Sequence, residues 1–210
     1  MCPESATARR YGGKTAQERR AERRERLMDA GLELFGTQGF AATTIEALCA
    51  AARLNPRYFY EGFATREALL GAVYERHVST VADTVVAALE GAPADPLIRL
   101  EVGLRAFLDG TLADPRAARI NYFEVIGVSP ELERLRRDAL RAYAELIARE
   151  LAALSHGTAI GLSDLHAAAV AVVGAVDGLV IDALTGERGA DSETIVTTLR
   201  ELFGGSLRLG

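Results

Sequence analysis

Three side chains able to bind DNA lie close together just after a helix-starting signal in this 210-residue chain. Arg57, Tyr58 and Tyr60 follow Asn55 and Pro56. Asn is a preferred N-cap, and Pro suits the first helical position because its missing N–H is not needed there. An Arg guanidinium can bond to guanine O6 and N7, and a Tyr hydroxyl can contact phosphate. The spacing therefore predicts a short exposed helix that reads DNA.

Other partners for these side chains remain open at this point. Arg57 could contact only phosphate, or could pair with Glu61 four residues later on the same helix face. Tyr58 and Tyr60 could belong to a core. Because Phe59 already holds the inward position of the short helix, we expect at least one of the two tyrosines to lie at an interface.

Two further helices are indicated before this one. The pairs Thr15/Glu18 and Thr43/Glu46 both have the S/T-x-x-E spacing of a capping box, which predicts helix starts at these threonines. Gly39 suits the left-handed position that ends the first helix. The order predicts a three-helix helix-turn-helix domain over residues 15–63, after a flexible arm of residues 1–14.

The charge is distributed unevenly along the chain. The net charge is -5, but residues 1–76 carry +2 and residues 77–210 carry -7, while residues 1–26 alone carry +4. A positive N-terminal region next to the proposed reading helix suits contact with nucleic acid. A solvated, charged helix face would give the same split.

The rest of the sequence indicates helices without strands. Asp95-Pro96, Asp114-Pro115 and Ser129-Pro130 are each an N-cap followed by Pro at the first helical position. The predicted helices after the reading helix cover 66–89, 96–109, 115–125, 130–154, 163–185 and 191–203. We therefore expect an all-α protein of nine helices, in which residues 64–210 form a second, helical domain.

The stretch 167–184 is apolar almost all round and long enough to span a membrane. Asp177 and Asp182 interrupt it, and carboxylates are costly in lipid, so we predict a buried helix and no membrane partner.

Gly174 and Gly178, four residues apart, would let another helix approach closely. Together with the apolar positions of the last helix, they predict a homodimer interface; those positions are Ile195, Leu199 and Phe203.

Asp177 also has apolar neighbours at helical spacing, so it must be paired, protonated or lining a cavity. The main aromatic side chains after residue 80 could line the same cavity, with core packing as the alternative for each. They are Phe107, Tyr122, Phe123 and Tyr143. Such a cavity would take a hydrophobic or amphipathic small molecule.

No enzymatic chemistry is indicated. The three histidines form no metal-binding pattern with Cys or acidic residues, no glycine-rich phosphate loop follows a strand, and no cofactor is predicted. Cys2 and Cys49 are too few and too far apart for a disulfide framework, and the N-terminus lacks an apolar signal sequence. We expect a cytoplasmic protein with reduced cysteines. Besides an enzyme, the alternative to a DNA-binding protein is a helical adaptor that does not bind DNA.

One segment resembles a known family. RRERLMDAGLELFGTQGFAATTIEALCAAARLNPRYFYEGFATREALLGAV contains L-F-x-x-x-G-F, T-T-I, F-Y-x-x-F and T-R-E-A-L-L in order. It resembles the N-terminal DNA-binding domain of tetracycline-repressor (TetR) family regulators. Over residues 80–210 only helix number and length agree.

The resemblance implies a homodimeric repressor that binds a palindromic double-stranded DNA operator and is released by a small-molecule effector. Activation is the alternative. It implies base reading by Pro56 and Arg57 and a phosphate or thymine contact by Tyr60. It also implies phosphate contacts at four further positions: Thr43, Thr44, Tyr58 and Arg66.

The segment departs from the family pattern in three places. Arg53 occupies a turn position usually held by Gly, which predicts a remodelled turn, strain or an added basic DNA contact. Arg57 replaces a small residue, so a guanidinium could read bases here. Gly62 replaces a common His and could shorten the reading helix. Arg53 and Asn55 complete the candidate DNA-binding residues.

Overall fold

A computed structural model describes residues 15–155, 165–186 and 191–206, without the side chains of 96–97, 153–155 and 203–206. The expected arm (1–14), the helix start at Ser163 and the side chain of Phe203 lie outside the described residues. The helices are α1 (Ala16–Thr37), α2 (Ile45–Ala51), α3 (Pro56–Gly62), α4 (Arg66–Glu90), α5 (Pro96–Leu112), α6 (Pro115–Arg119), α7 (Pro130–Ser155), α8 (Leu165–Thr185) and α9 (Ser192–Ser206). A π-helical turn (Ile120–Glu124) follows α6. The described chain contains no strand, so the all-α prediction is confirmed.

Most of the predicted helix starts are confirmed by their caps. The capping box of Thr15 and Glu18 is complete, and Asn55 Oδ1 accepts from the backbone N–H of Arg57 at 3.0 Å. The start of α2 was predicted one residue too early. Thr44, not Thr43, is its N-cap and accepts from the Ala47 N–H at 3.2 Å.

Three other helix boundaries differ from the expected ones. α5 continues through Gly110, because one helical Gly costs only about 1 kcal/mol relative to Ala. α9 likewise continues through Gly204 and Gly205. The sixth helix changes from α to π geometry, where the Val125 N–H bonds to the Ile120 carbonyl at 3.2 Å.

The first compact unit contains α1, α2, α3 and the beginning of α4, because the division between the two units falls between Val73 and Tyr74. Its centre is a set of fully buried side chains from all four helices: Leu27, Phe35, Leu48, Phe59 and Leu69. Gly31 permits close packing of α1 on α4, since an added Cβ would lie 3.1 Å from Val73 Cγ2. The packing presents α3 on a rigid support.

The second unit is a helical bundle in which α7 packs on α8 and α5 packs on α9. Its largest core cluster is formed by Leu108, Val172, Val176, Val180, Ile195, Val196 and Leu199. Ile195 and Leu199 are 0% and 2% exposed there. These two side chains, predicted at a dimer interface, are therefore covered by their own chain, whereas Leu202 further along α9 is 62% exposed.

α8 is buried on only one side within the chain. Ala169, Val172, Val176 and Val180 are buried, whereas Val170, Gly174, Gly178 and Ile181 are exposed. By length and composition α8 could cross a membrane, and 22% of its apolar stretch is buried within the described chain. The side of α8 that the described residues leave exposed is called here the α8 face.

Candidate nucleic-acid interface and internal cavity

α3 carries its inward and outward side chains as the sequence suggested. Phe59 is fully buried, while Tyr60 is 63% exposed and meets the Phe59 ring edge-on at 5.5 Å. The Arg57 side chain is 77% exposed. We call Arg57, Tyr58 and Tyr60 the reading edge; a core role for Tyr60 is excluded by its exposure.

The reading edge is held loosely at its first residue. Arg57 Nε lies 3.7 Å from Glu61 Oε1, so the expected i, i+4 pair is present. Tyr58 is half-buried between two guanidiniums, with Arg23 4.5 Å and Arg57 5.5 Å from its ring centroid. An exposed ion pair contributes at most about 1 kcal/mol, so a DNA contact can replace the Arg57–Glu61 pair.

Arginines from α1 hold the end of α3, which sequence reasoning missed. Arg20 Nε donates to the Glu61 carbonyl at 2.9 Å, and Arg24 donates to the Gly62 carbonyl at 2.9 Å. Arg23 pairs with the Glu61 carboxylate at 2.9 Å. These cations cover the negative end of a helix that has no basic residue in its own last turn. The run of arginines in α1 was the signal available in the sequence, but such a run of charges by itself predicts only a solvated surface.

Arg53 keeps the turn geometry that a Gly would adopt. Its φ is 53°, the only positive value at a non-Gly residue in the described chain. Arg26 donates to the Arg53 carbonyl at 3.0 Å and also to the Ala52 carbonyl. The turn is therefore not remodelled; it retains a left-handed residue and is tied to α1.

Replacing Arg53 with Gly is expected to stabilise the protein by about 0.5–1 kcal/mol. The left-handed conformation costs an L-residue roughly 1–2 kcal/mol, and Gly avoids this cost. Gly also loses more conformational entropy on folding, which cancels part of the gain. Urea unfolding with a circular-dichroism readout measures the change. Arg57→Gly, at an exposed helical position, is the control and should destabilise. A loss of stability in Arg53→Gly would contradict the strain argument.

Three of the expected phosphate contacts, Thr43, Thr44 and Arg66, differ in how accessible their side chains are. Thr43 is fully buried, and its hydroxyl donates to the Gly39 carbonyl at 2.8 Å, so its side chain is not available to phosphate. Thr44 is exposed. Arg66 donates to the Phe40 carbonyl at 3.2 Å and to that of Thr43, which ties α4 to the α1–α2 connection.

The second unit contains an internal cavity of about 130 Å³. Four of the five predicted pocket residues line it: Phe107, Tyr122, Tyr143 and Asp177. Phe123 does not; it is 39% exposed. Its neighbours in the π-helical turn, Asn121 and Tyr122, both line the cavity.

The cavity has a polar region in which burial dominates the electrostatics. Tyr122 Oη donates to Asp177 Oδ1 at 3.5 Å. Burial raises the pKa of Asp177, against the attraction of Arg136, and raises the pKa values of Tyr74 and Tyr143 to about 12. A weakly solvated carboxyl group on a cavity wall is poised to bind a hydrogen-bond donor.

Comparison with known proteins agrees with this architecture. Residues 27–73 match the family model described as bacterial regulatory proteins, tetR family. The HTH-type transcriptional repressor DhaR of Mycobacterium sp. (strain GP1) is 28% identical over 124 residues, 59% of this chain and 61% of DhaR. The regulator TcmR of Streptomyces glaucescens is 36% identical over 87 residues, 40% of this chain and 37% of TcmR. These alignments therefore span less than two thirds of either relative.

The similarity of fold extends over most of the chain. The crystal structure of the transcriptional regulator FadR from Bacillus subtilis in complex with stearoyl-CoA superposes with a TM-score of 0.77 at 15% identity. The match covers 88% of this chain and 97% of FadR. With its helix-turn-helix unit and the family match over residues 27–73, the chain carries the N-terminal domain of the tetR family of bacterial regulatory proteins, and the relatives that it resembles are transcriptional regulators.

Proposed function

We propose that this regulator is a repressor that binds a palindromic operator as a homodimer and leaves it when a small hydrophobic or amphipathic molecule binds. The observation that carries the proposal is the reading edge, since Arg57 and Tyr60 project from a short, firmly held helix beside the fully buried Phe59. We assign DNA binding to residues 15–63 with the start of α4, and effector binding and dimerisation to the remainder.

The reading edge suits the major groove of DNA. In helix-turn-helix proteins the N-terminal residues of the second helix reach the base edges. Pro56 and Arg57 occupy that end of α3, with Asn55 as its cap. We assign base reading to Arg57, a thymine or phosphate contact to Tyr60, and phosphate contacts to Thr44, Tyr58 and Arg66. Arg53 is exposed in the preceding turn and could add a phosphate contact.

The α8 face supports a homodimer. Val170, Gly174, Gly178 and Ile181 are exposed on one side of an apolar helix, and a Cβ added at either glycine would meet nothing within 4 Å. A second copy related by two-fold symmetry would cover this surface with the same surface. Two reading edges would then meet two half-sites of a palindrome.

The cavity supports an amphipathic effector. Its lining is mostly aliphatic and aromatic, with a small group of polar side chains at each end. FadR, which has the same fold, was solved with stearoyl-CoA, itself an amphipathic molecule. Repression is favoured over activation because DhaR is named a repressor. We therefore place the protein in the bacterial cytoplasm, where the operator DNA lies.

Selection of bound fragments from a random DNA pool tests the proposal. We expect a palindromic site whose half-sites lie about one helical turn apart or a multiple of it, and salt-dependent binding. Transcription from a promoter carrying the selected site should fall when the protein is added and recover with an effector. Stimulation would favour an activator. Equal affinity for the selected site and random DNA would overturn the proposal.

A further inference from the structure

The cavity follows the helices lengthwise. Its wall on α4 consists of Tyr74, Val78, Val81, Val85 and Leu89, which are spaced three or four residues apart along one helix face. At 1.5 Å per residue this stretch is roughly 22 Å long. α7 contributes a similar stretch from Arg136 to Glu150. The cavity is therefore elongated along four turns of two helices.

The cavity is also narrow. About 130 Å³ distributed over such a length leaves room for little more than a single file of methylene-sized groups. Val81, Val85 and Leu89 form a buried cluster along one wall, packed against Phe107 and Leu146. A linear aliphatic chain fits this shape, whereas a flat ring system requires several such files side by side.

One end of the cavity is lined by polar groups that already have partners. Arg99 binds Glu150 through two hydrogen bonds, at 2.7 Å and 3.2 Å, and its remaining nitrogen donates to the Leu89 carbonyl at 2.9 Å. This internally neutralised pair has little left to offer a ligand. The aliphatic tail of a ligand would therefore end here.

The other end offers both hydrogen-bond donors and acceptors. Arg136 and Asp177 bring opposite charges to it, with the Tyr122 hydroxyl 3.5 Å from the Asp177 carboxyl group. Asn121 Oδ1 is buried and finds no donor among the described residues. A charged ligand group would meet one like charge here in a poorly solvated site, which is costly. An uncharged ligand group with one acceptor and one donor would suit both Arg136 and Asp177.

We propose that the effector is a linear aliphatic molecule that ends in an uncharged polar group with both an acceptor and an N–H or O–H donor, such as a primary amide. Its acceptor faces Arg136, and its donor faces Asn121 and Asp177. Its chain runs between α4 and α7 towards the Arg99–Glu150 pair. This inference rests on the proposed function, because it specifies the ligand of the same cavity.

Binding of four probes to the full chain tests the inference by calorimetry. They are octanamide, octanoate, octylammonium and 2-naphthamide, which separate the contributions of head-group charge and body shape. We expect octanamide to bind at least tenfold more tightly than the other three. Hexanamide and decanamide should bracket it, with affinity rising about fourfold per methylene. Tighter binding of either charged probe or of 2-naphthamide would overturn the inference.

Three variants locate the two ends of the ligand. Asp177→Asn should improve octanoate relative to octanamide, and Arg136→Gln should improve octylammonium, because each removes one like charge. Leu146→Phe should shorten the longest amide that binds and leave hexanamide unaffected. Thermal unfolding without ligand confirms that each variant is folded. Unchanged probe ratios in both charge variants, or an unchanged chain-length limit, would contradict the inference.

The same probes separate this inference from the proposed function. If 2-naphthamide or a charged probe binds best and releases the selected DNA, the proposed function stands and the inferred ligand class is wrong. If octanamide binds best but leaves DNA occupancy unchanged, the ligand class stands and effector control of DNA binding is wrong.

Discussion

Gly178→Glu is expected to yield a folded monomer whose operator affinity is at least about 100-fold lower than that of the wild type. A Cβ at Gly178 meets nothing within 4 Å in the single chain, and Glu is a better helix former than Gly. In a two-fold dimer, however, the substitution would place two carboxylates in one apolar interface, without partners. Losing the second half-site removes the gain from bivalent binding, on the order of 100-fold or more.

Sedimentation at micromolar concentration and DNA titration measure the two effects. Ala142→Glu is the matched control, since it adds the same side chain at an exposed position of α7, and it should leave both properties unchanged. Thermal unfolding should show that Gly178→Glu is as stable as the isolated wild-type subunit or more so. A variant that remains dimeric with normal DNA affinity would show that the α8 face is not the interface.

Arg57→Ala is expected to reduce operator affinity by about 1–3 kcal/mol for each base contact that is lost, and to relax specificity at the matching position. Stability should change little, because the side chain is 77% exposed and its pair with Glu61 is long. Titrations against the selected operator and against single-base variants of it give both quantities.

Arg57→Lys distinguishes base reading from phosphate contact. Lys keeps the positive charge but lacks the planar fork that bonds to guanine O6 and N7 together. If Arg57 reads a base, Lys should retain the salt dependence of binding and lose the discrimination. If the lysine variant discriminates as the wild type does, Arg57 contacts only the DNA backbone and its proposed role as base reader is wrong.

Local signals in the sequence were sufficient for most of the fold. The helix-start signals act within three residues of a helix end, so their effect does not depend on what packs nearby. Examples are Asn55-Pro56, Asp95-Pro96 and the Thr15/Glu18 capping box. The inward position of Phe59 followed from helical periodicity alone. The outward positions of Arg57 and Tyr60 were therefore predictable without any tertiary contact, and so was the family of the N-terminal domain.

The tertiary structure decided which polar and apolar groups already have partners. Nothing in the order of residues indicates that Arg66 bonds to carbonyls near Thr43, or that α1 arginines hold the end of α3. Helical spacing places Leu199 on an apolar face that could meet a second subunit, but only the packing shows that this side chain is buried within its own chain.

For this protein the sequence by itself determined most of the helices, the outward side of α3 and the family of the N-terminal domain, because caps, periodicity and the matched motifs act over a few residues. Only the tertiary structure decided that the α8 face is left uncovered and that Asp177 borders a narrow cavity. It also decided that the turn at Arg53 keeps its left-handed geometry. Each of these depends on groups from distant segments, whose approach is set by the packing of whole helices.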